Sequence, residues 1–230
     1  MNKGNIVSII QPAFFPWTGY FDIIKKSDYF VCFDNVKFEK RNWQMRNRLK
    51  MITEEKEDYF WISMPTKNVT STSIIKDVLI DNSQKWKSKH INTFQKIYGD
   101  EIKNITFLMD MYSKNWEKIC DFNIEFIKQC CSYLEIKTKI IRASELNPEG
   151  KRSELLLDIC KKLDAKKYIS GPTAKIYLDN DKEIFQKAEI MIEYHDYKQP
   201  IYKQRGKKFL DKLSILDLIF NEKHNAKKFI

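Results

Sequence analysis

Residues 5–34, NIVSIIQPAFFPWTGYFDIIKKSDYFVCFD, contain the elements that decide the fold. The apolar, β-branched run of residues 5–12 is typical of a buried strand and ends at a Gln-Pro pair. Over residues 16–26 the apolar positions recur at helical spacing, and the proline at the start suits a first helical turn. Residues 28–34 form a second apolar run. A strand, a helix and a second strand in this order favour a parallel sheet.

Outward from this opening, strand and helix patterns alternate along the chain. Further strands are expected at residues 59–63, 137–142, 168–171 and 190–194. Helical periodicity is expected at residues 83–135 (with one long apolar face from 116 to 134), 153–163, 182–188 and 213–220. Residues 35–58 lack a clean period and predict a long polar loop or a hairpin. The pattern predicts one domain over residues 1–230, with a three-layer, Rossmann-like α/β fold and a mostly parallel sheet.

Composition and charge exclude several classes of protein. The 230 residues include 15 Phe, 11 Tyr and 5 Trp, too much aromatic surface for a disordered tail. The net charge of +10 lies at the two ends, because residues 1–50 and 200–230 carry +5 each. The excess coincides with residues 37–50 and 203–212, which suits a local anion site better than a nucleic-acid groove. No membrane span or signal peptide is recognised, so a cytoplasmic protein is expected.

Cysteine and histidine usage argues against disulfides, a metal site and a thiol nucleophile. The five cysteines have no C-x-x-C spacing, and four of them fall on apolar helical faces. His90, His195 and His224 are isolated in sequence, so neither a metal centre nor a Ser-His-Asp arrangement is predicted. His195, beside Asp196 at a strand end, is the candidate for acid–base chemistry, and a plain surface histidine is the alternative.

The loop of residues 11–20 is the first candidate site, because ligands of doubly wound sheets lie at the carboxyl ends of strands. A helix begins there, and its free N–H groups and positive dipole end would hold a phosphate or carboxylate. Gln11 would add a neutral donor and acceptor, and Trp17 a ring face. The alternative is that the aromatic residues of this loop belong to the core and that its prolines only shape the turn.

The basic segment of residues 34–48 is the second candidate site. Its candidate binding residues are Lys37, Lys40, Trp43, Arg46, Asn47 and Arg48. Guanidinium forks match phosphate or carboxylate oxygens, and an indole offers a face to a base or sugar ring. The alternative is a solvated basic hairpin.

A turn after another strand is the third candidate site and contains Ser170, Gly171 and Thr173. Gly171 permits a positive φ, and Thr173 is able to cap the next helix. The alternative is that this turn is only a helix cap.

Five separated motifs carry a resemblance to a known family. The first, Q-P-x-x-x-P-W-x-G-Y-F, is met by Gln11, Pro12, Pro16, Trp17, Gly19, Tyr20 and Phe21. The second, F-V-x-x-D and a later W…N-R-N-R, is met by Phe30, Val31, Asp34, Trp43, Arg46, Asn47 and Arg48, with Gln44 and Met45 where the basic run would begin. The others, Y-L-S-G-x…Y-L-D and Y-x-Q…F-x-x-x-L-S-I-L-D, are met at residues 168–172, 177–179 and 202–217. In this order they resemble the WbqC-like family of bacterial surface-polysaccharide clusters.

The resemblance implies an enzyme of O-antigen-type glycan biosynthesis that acts on a nucleotide-linked sugar, by N-acyl or aminoacyl transfer to a sugar amine. No tightly bound cofactor is expected, and the co-substrate would be an acyl thioester of coenzyme A or of an acyl carrier protein. Asp34, His195 and Tyr20 are the expected proton-transfer groups, and Tyr202 and Gln204 join the expected binding residues. The alternatives are a non-catalytic module that binds a nucleotide or carrier protein and, least favoured, a nucleic-acid binder.

A weaker resemblance connects the chain to the nucleotidylyltransferase superfamily. Residues 17–20, WTGY, stand in the frame of its H-x-G-H motif, and residues 169–173, ISGPT, in that of its I-S-x-T motif. Both histidines of the first motif are absent. This resemblance implies a distantly similar fold with altered chemistry.

Overall fold

The computed structural model describes residues 4–230 and contains nine strands and eight α-helices. The strands are β1 (Asn5–Ile10), β2 (Tyr29–Cys32), β3 (Arg46–Ile52), β4 (Glu57–Ser63), β5 (Thr66–Lys67), β6 (Leu79–Ile80), β7 (Lys139–Arg142), β8 (Ala165–Ser170) and β9 (Met191–Tyr194). The helices are α1 (Thr18–Lys25), α2 (Trp86–Tyr98), α3 (Thr106–Ser113), α4 (Ile119–Tyr133), α5 (Ser153–Lys162), α6 (Lys175–Leu178), α7 (Lys182–Lys187) and α8 (Ile215–Glu222). None of the helices in this part of the chain combines the length and apolar character of a membrane span.

The central sheet has five parallel strands in the order β7-β2-β1-β8-β9. The chain therefore winds outward from β1 in both directions, as in Rossmann-like folds. The direction reverses between β1 and β8, where Val7 lies opposite Tyr168. Ligands of such sheets bind outside the carboxyl ends of the strands at this reversal. Gln11 and Gly171 are the first residues after these two strands.

Helices cover both faces of the sheet, because side chains of its buried strands point alternately to either side. Val7 and Ile9 pack with side chains of α5 and α7. Ile6 and Ile10 pack against the larger core, to which α1, α4 and α8 contribute. The three-layer α/β fold expected from the sequence is confirmed.

The connection from β2 to β7 contains most of the structure outside the central sheet. Within it, β3 and β4 pair antiparallel, with Arg46 opposite Ser63, and β5 pairs with β6. The strand expected at residues 59–63 is therefore the second half of a hairpin and not part of the parallel sheet. For residues 35–58 the sequence predicts a long polar loop or a hairpin. The protein forms both, because a loop precedes β3 and the hairpin of β3 and β4 follows it.

The helical pattern of residues 83–135 is divided among α2, α3 and α4. Gly99 ends α2 with a φ of 65°, a conformation that glycine adopts without strain, and a 3₁₀ turn follows. The expected apolar face lies on α4, but Trp116 precedes this helix and Leu134 is its C-cap.

Two helix starts differ from the expected ones. Pro16 lies before α1 instead of in its first turn, because the helix begins at Thr18. The helix expected from residue 213 begins at Ile215, because the Ser214 hydroxyl accepts the Leu216 N–H at 3.2 Å as an N-cap.

Candidate functional site

A cleft of about 600 Å³ opens at the carboxyl ends of β1, β8 and β9. This volume fits a small organic ligand. Three segments that are distant in sequence meet there: the loop after β1, the basic segment, and the turns after β8 and β9. The site residues expected from the sequence that line it are Gln11, Trp17, Tyr20, Trp43, Asn47, Arg48, Gly171, Thr173 and His195.

The loop after β1 is held in an unusual backbone conformation. Phe15 has a φ of 47°, in the left-handed region, where a non-glycine residue is strained by about 1–3 kcal/mol. The buried amide of Asn47 donates to the carbonyls of Phe14 at 3.1 Å and Phe15 at 2.8 Å. Both rings are fully buried, so for these two residues the core alternative holds. Asn47 therefore shapes the cleft by clamping this loop from β3.

Gln11 is oriented by a second glutamine. Nε2 of Gln44 donates to Oε1 of Gln11 at 2.7 Å, and Oε1 of Gln44 accepts the N–H of Glu39 at 2.8 Å. The side-chain oxygen of Gln11 is thus used inside the protein. Gln11 lines the cleft, and its amide N–H₂ group makes no hydrogen bond within the described residues, so it is available to donate to a ligand.

The start of α1 is tightly packed. A Cβ on Gly19 would lie 2.5 Å from the Trp17 indole, so the ring fits only over glycine. The hydroxyl of Tyr20 donates to the carbonyl of Gln11 at 3.0 Å. Burial raises the pKa of Tyr20 well above its usual value. Tyr20 therefore stays protonated, and its hydroxyl, expected to transfer a proton, braces the backbone of the loop.

His195 and Asp22 form a hydrogen-bonded pair, and His195 lines the cleft. Nε2 of His195 lies 2.5 Å from Oδ2 of Asp22, and the two side chains are 7% and 15% exposed. Burial raises the pKa of Asp22, but hydrogen bonds from His195 and Lys26 outweigh burial and lower this pKa below its usual value. The ionised carboxylate therefore orients the ring, and Nδ1 is left to meet a ligand. The sequence neighbour Asp196 is not the partner of His195 in this pair.

The turn after β8 forms the opposite rim of the cleft. Gly171 has a φ of −63°, so its capacity for positive φ is not used. Thr173 is exposed at the rim. The N-cap of α6 is Ala174 and no side chain caps this helix, so the cap expected from Thr173 is not formed. Ser170 is buried, and its carbonyl accepts the N–H of His195 at 2.8 Å. Ser170 therefore positions His195.

The basic wall of the cleft brings the two charged ends of the chain together. The N–H of Ser214 donates to the carbonyl of Arg48 at 2.8 Å, and Nη2 of Arg48 donates to the carbonyl of Lys212 at 3.2 Å. Arg48 and Lys212 both line the cleft beside Trp43, which is 46% exposed. The two +5 segments thus border one cavity, where they attract an anion.

Seven of the expected site residues lie outside the cleft lining: Asp34, Lys37, Lys40, Arg46, Ser170, Tyr202 and Gln204. Asp34 is buried, and its carboxylate accepts the N–H of Ser144 at 2.9 Å and its hydroxyl at 2.7 Å. Asp34, one of the expected proton-transfer groups, therefore holds the turn after β7 and does not line the cleft. Lys37 and Lys40 are exposed on the loop before β3, and Arg46 lies on the outer face of the hairpin.

Tyr202 and Gln204 belong to a buried network behind the cleft. The hydroxyls of Tyr202 and Tyr98 donate to the two oxygens of Asp217 at 2.9 and 3.1 Å. Burial raises the pKa of Asp217 to about 6. Gln204 bonds to the backbone N–H and carbonyl of Leu210 at 2.9 and 2.8 Å. These motif residues brace the chain segment that borders the cleft and do not line it themselves.

Sequence reasoning missed Asp22, Gln44 and Lys212 as site residues. Asp22 carries a weak signal, because it is an acid within a helix that buries six of its eight residues. Its pairing with His195, 173 positions away, leaves no sequence signal. Gln44 stands where the chain departs from the family motif, which is the signal that could have drawn attention to it.

The cysteines do not supply a nucleophile to the cleft. All five are free and buried. Burial raises the pKa of Cys120, Cys131 and Cys160 to about 12 and raises those of Cys32 and Cys130 well above the usual value. These thiols therefore stay protonated at neutral pH. Within residues 4–230 no group of three or more Cys, His, Asp or Glu side chains is arranged to hold a metal ion.

Comparison with known proteins identifies a family and a relative of this chain. The model of the WbqC-like protein family matches residues 11–229. The uncharacterized protein Rv1507c of Mycobacterium tuberculosis is 30% identical over 222 residues, which cover 94% of this chain and 93% of that protein. No solved structure matches the chain.

Proposed function

The chain belongs to the WbqC-like protein family, and from this premise we propose that it transfers an acyl or aminoacyl group to the amine of a nucleotide-linked amino sugar in O-antigen-type glycan biosynthesis. The observation that carries the proposal is the His195–Asp22 pair beside a cavity of about 600 Å³. Such a transferase needs room for the acceptor, a proton acceptor for its amine and positive charge for its phosphates.

The chemistry requires one proton acceptor from the protein. The amine nitrogen attacks the carbonyl carbon of an acyl thioester, and Nδ1 of His195 accepts the amine proton as the C–N bond forms. The C–S bond then breaks, and the departing thiolate takes the proton back from the imidazolium. The products are an amide and a free thiol. Asp22 stabilises the imidazolium during this step, because its carboxylate holds Nε2 at 2.5 Å.

Positive charge in the cleft suits the phosphates of the substrate or the oxyanion of the intermediate. Arg48 and Lys212 supply two cations on one wall. Trp17 is the N-cap of α1 and lines the cleft, so the positive end of this helix lies beside the cavity and favours an anion. The thioester would come from coenzyme A or from an acyl carrier protein.

A non-catalytic module that binds a nucleotide or a carrier protein is the second candidate function. Two of the three residues expected to transfer protons, Asp34 and Tyr20, make hydrogen bonds within the protein instead. This leaves His195 to perform the proton transfer. A binding module would hold the same ligand and release it unchanged.

Incubation of the purified protein with nucleotide-linked amino sugars and acyl or aminoacyl thioesters, followed by mass spectrometry, tests the proposal. We expect the sugar nucleotide to gain the mass of the acyl group. His195→Gln should lower the rate by about 10²–10⁴-fold, the usual value of a general base. His224→Gln is the matched control, because His224 is exposed and stacks on Tyr133 at 5.8 Å.

The outcomes separate the candidate functions. Sugar-nucleotide binding by calorimetry without product from any thioester would favour the binding module. Neither product nor binding would refute both candidates. Product formation that is equal in His195→Gln and His224→Gln would contradict the role of His195.

A further inference from the structure

One face of the β3–β4 hairpin carries an alternating series of cations and aromatic rings. The antiparallel register places Arg48 opposite Trp61 and Lys50 opposite Tyr59. Because side chains alternate along a strand, Arg46 shares this face, while Leu49 and its neighbours on the other face enter the core. The guanidinium carbon of Arg46 lies 4.4 Å from the centre of the Trp61 ring, and that of Arg48 lies 4.4 Å from the Tyr59 ring.

At the end of this face that contains Lys50 and Tyr59, residues 207–211 of the chain cover the hairpin. Lys50 is buried and pairs with Glu57 at 2.9 Å. The carboxylate of Glu57 also accepts the N–H groups of Lys207 and Lys208 at 2.7 and 2.8 Å. These bonds, led by the one from the Lys207 N–H, lower the pKa of Glu57 to about 2. Tyr59 donates to Asp211 at 3.1 Å.

The other end of this face, at Arg46 and Trp61, is open to solvent. Trp43 and Trp61 are 46% and 42% exposed, and their ring centres are 5.6 Å apart. Arg48 lies within 5.9 Å of both rings. We call Trp43, Arg46, Arg48 and Trp61 the hairpin platform. It is continuous with the cleft, because Trp43 and Arg48 belong to both.

The charges of the platform are not balanced by the protein. Lys50 pairs with the carboxylate of Glu57, whereas Arg46 and Arg48 form no salt bridge in the part of the chain that the structure describes. Two uncompensated guanidinium groups beside two exposed indoles match a ligand that has both anionic oxygens and a flat ring. A nucleoside diphosphate has this chemistry, since guanidinium groups bind phosphates and aromatic rings stack with bases.

We propose that the hairpin platform binds the nucleoside diphosphate end of the substrate. The base stacks on the indole of Trp61, Arg46 and Arg48 bind the diphosphate, and the sugar extends past Trp43 into the cleft towards His195. This assignment rests on the proposed function for the sugar end of the ligand. It places the nucleotide specificity of the protein on the hairpin, outside the Rossmann-like sheet.

Calorimetric titration of the full chain with uridine, guanosine, adenosine, cytidine and thymidine diphosphates tests the platform. Trp61→Ala should weaken the binding of the preferred nucleotide by at least about fivefold, the lower limit for loss of a base–aromatic stack. Arg46→Ala should weaken it by at least about tenfold, because this change removes a charge-assisted bond to the diphosphate. Trp61→Phe keeps a stacking face and should restore most of the affinity. The controls are Ile52→Ala, an equally exposed residue at the far end of the same hairpin, and Lys89→Ala, an exposed cation on α2.

Each outcome either supports or overturns the assignment. Unchanged nucleotide binding in Trp61→Ala and Arg46→Ala would refute the platform. If amide formation by the wild type then still required His195, the proposed function would stand and only the hairpin platform would be refuted. Failure of the wild type both to bind nucleotides and to form product would refute the proposed function and the platform together. Affinity for oligoribonucleotides that rises with their length and exceeds that for nucleoside diphosphates would assign the platform to RNA and overturn the proposal.

Discussion

Replacing Asn47 with alanine should destabilise the protein by about 3–7 kcal/mol. The substitution removes the hydrogen-bond donor to the carbonyls of Phe14 and Phe15, which lie in the buried core. Each buried carbonyl without a partner costs about 1–3 kcal/mol, and the lost bond from the Arg48 N–H adds about 1 kcal/mol. The strain at Phe15, with its φ of 47°, would then no longer be offset.

Urea unfolding followed by circular dichroism measures this loss. With a denaturant slope of about 3 kcal/mol per molar urea, the midpoint should fall by about 1–2.3 M. Asn104→Ala is the matched control, because the amide of Asn104 is exposed and bonds only to Glu101, so its midpoint should change little. Equal midpoints for the two variants would refute the role of Asn47 as a clamp, and with it the explanation of how the cleft loop is held.

Three further substitutions test the buried groups and the packing of the cleft. Burial raises the pKa of Asp217 from 3.8 to about 6, so the protonated carboxyl stabilises the folded state below about pH 4. About 3 kcal/mol of the free energy of unfolding is lost as pH rises towards 6. In urea unfolding, Asp217→Asn should not show this loss. His90 acts in the opposite sense, because burial lowers its pKa from 6.5 to about 4, so its contribution is present above pH 6.5 and is lost as pH falls to 4. His90→Gln should therefore become less stable from pH 4 to 6 while Asp217→Asn becomes more stable, and identical pH profiles would contradict both assignments. Gly19→Ala should lower the stability by about 1–3 kcal/mol in thermal unfolding, because the new Cβ would lie 2.5 Å from the Trp17 indole. Gly171→Ala is the control and should have little effect, because its Cβ would meet no atom within 4 Å. Equal losses of stability in the two variants would contradict the packing of Trp17 on Gly19.

The parts of the fold that the sequence predicts are those set by local patterns. The β1-α1-β2 opening follows from short apolar runs and helical spacing, and the parallel sheet follows from their alternation. The division of residues 83–135 into three helices was not predicted, because the apolar period continues across the break at Gly99. The place of β4 in a separate hairpin depends on long-range pairing with β3, which a strand pattern does not specify.

The sequence placed the candidate site at the strand ends where the cleft lies, but several of its residues make contacts within the protein that the sequence did not predict. Phe15 adopts a left-handed φ, a conformation in which glycine is expected from sequence. Asn47 holds Phe15 in this conformation from β3, and sequence patterns do not show this contact. A carboxylate at a strand end suggests catalysis, yet Asp34 uses its oxygens on Ser144. Whether a polar residue faces the cleft or the interior depends on contacts between distant segments, and these are not encoded in motif spacing.

A crystal structure of the protein with a bound nucleotide-linked amino sugar tests the central claim most directly. We expect the amine nitrogen to lie within about 3.5 Å of Nδ1 of His195, the diphosphate beside Arg48, and the base against the indole of Trp61. A sugar bound outside the cleft, or an amine directed away from His195, would contradict the proposed function.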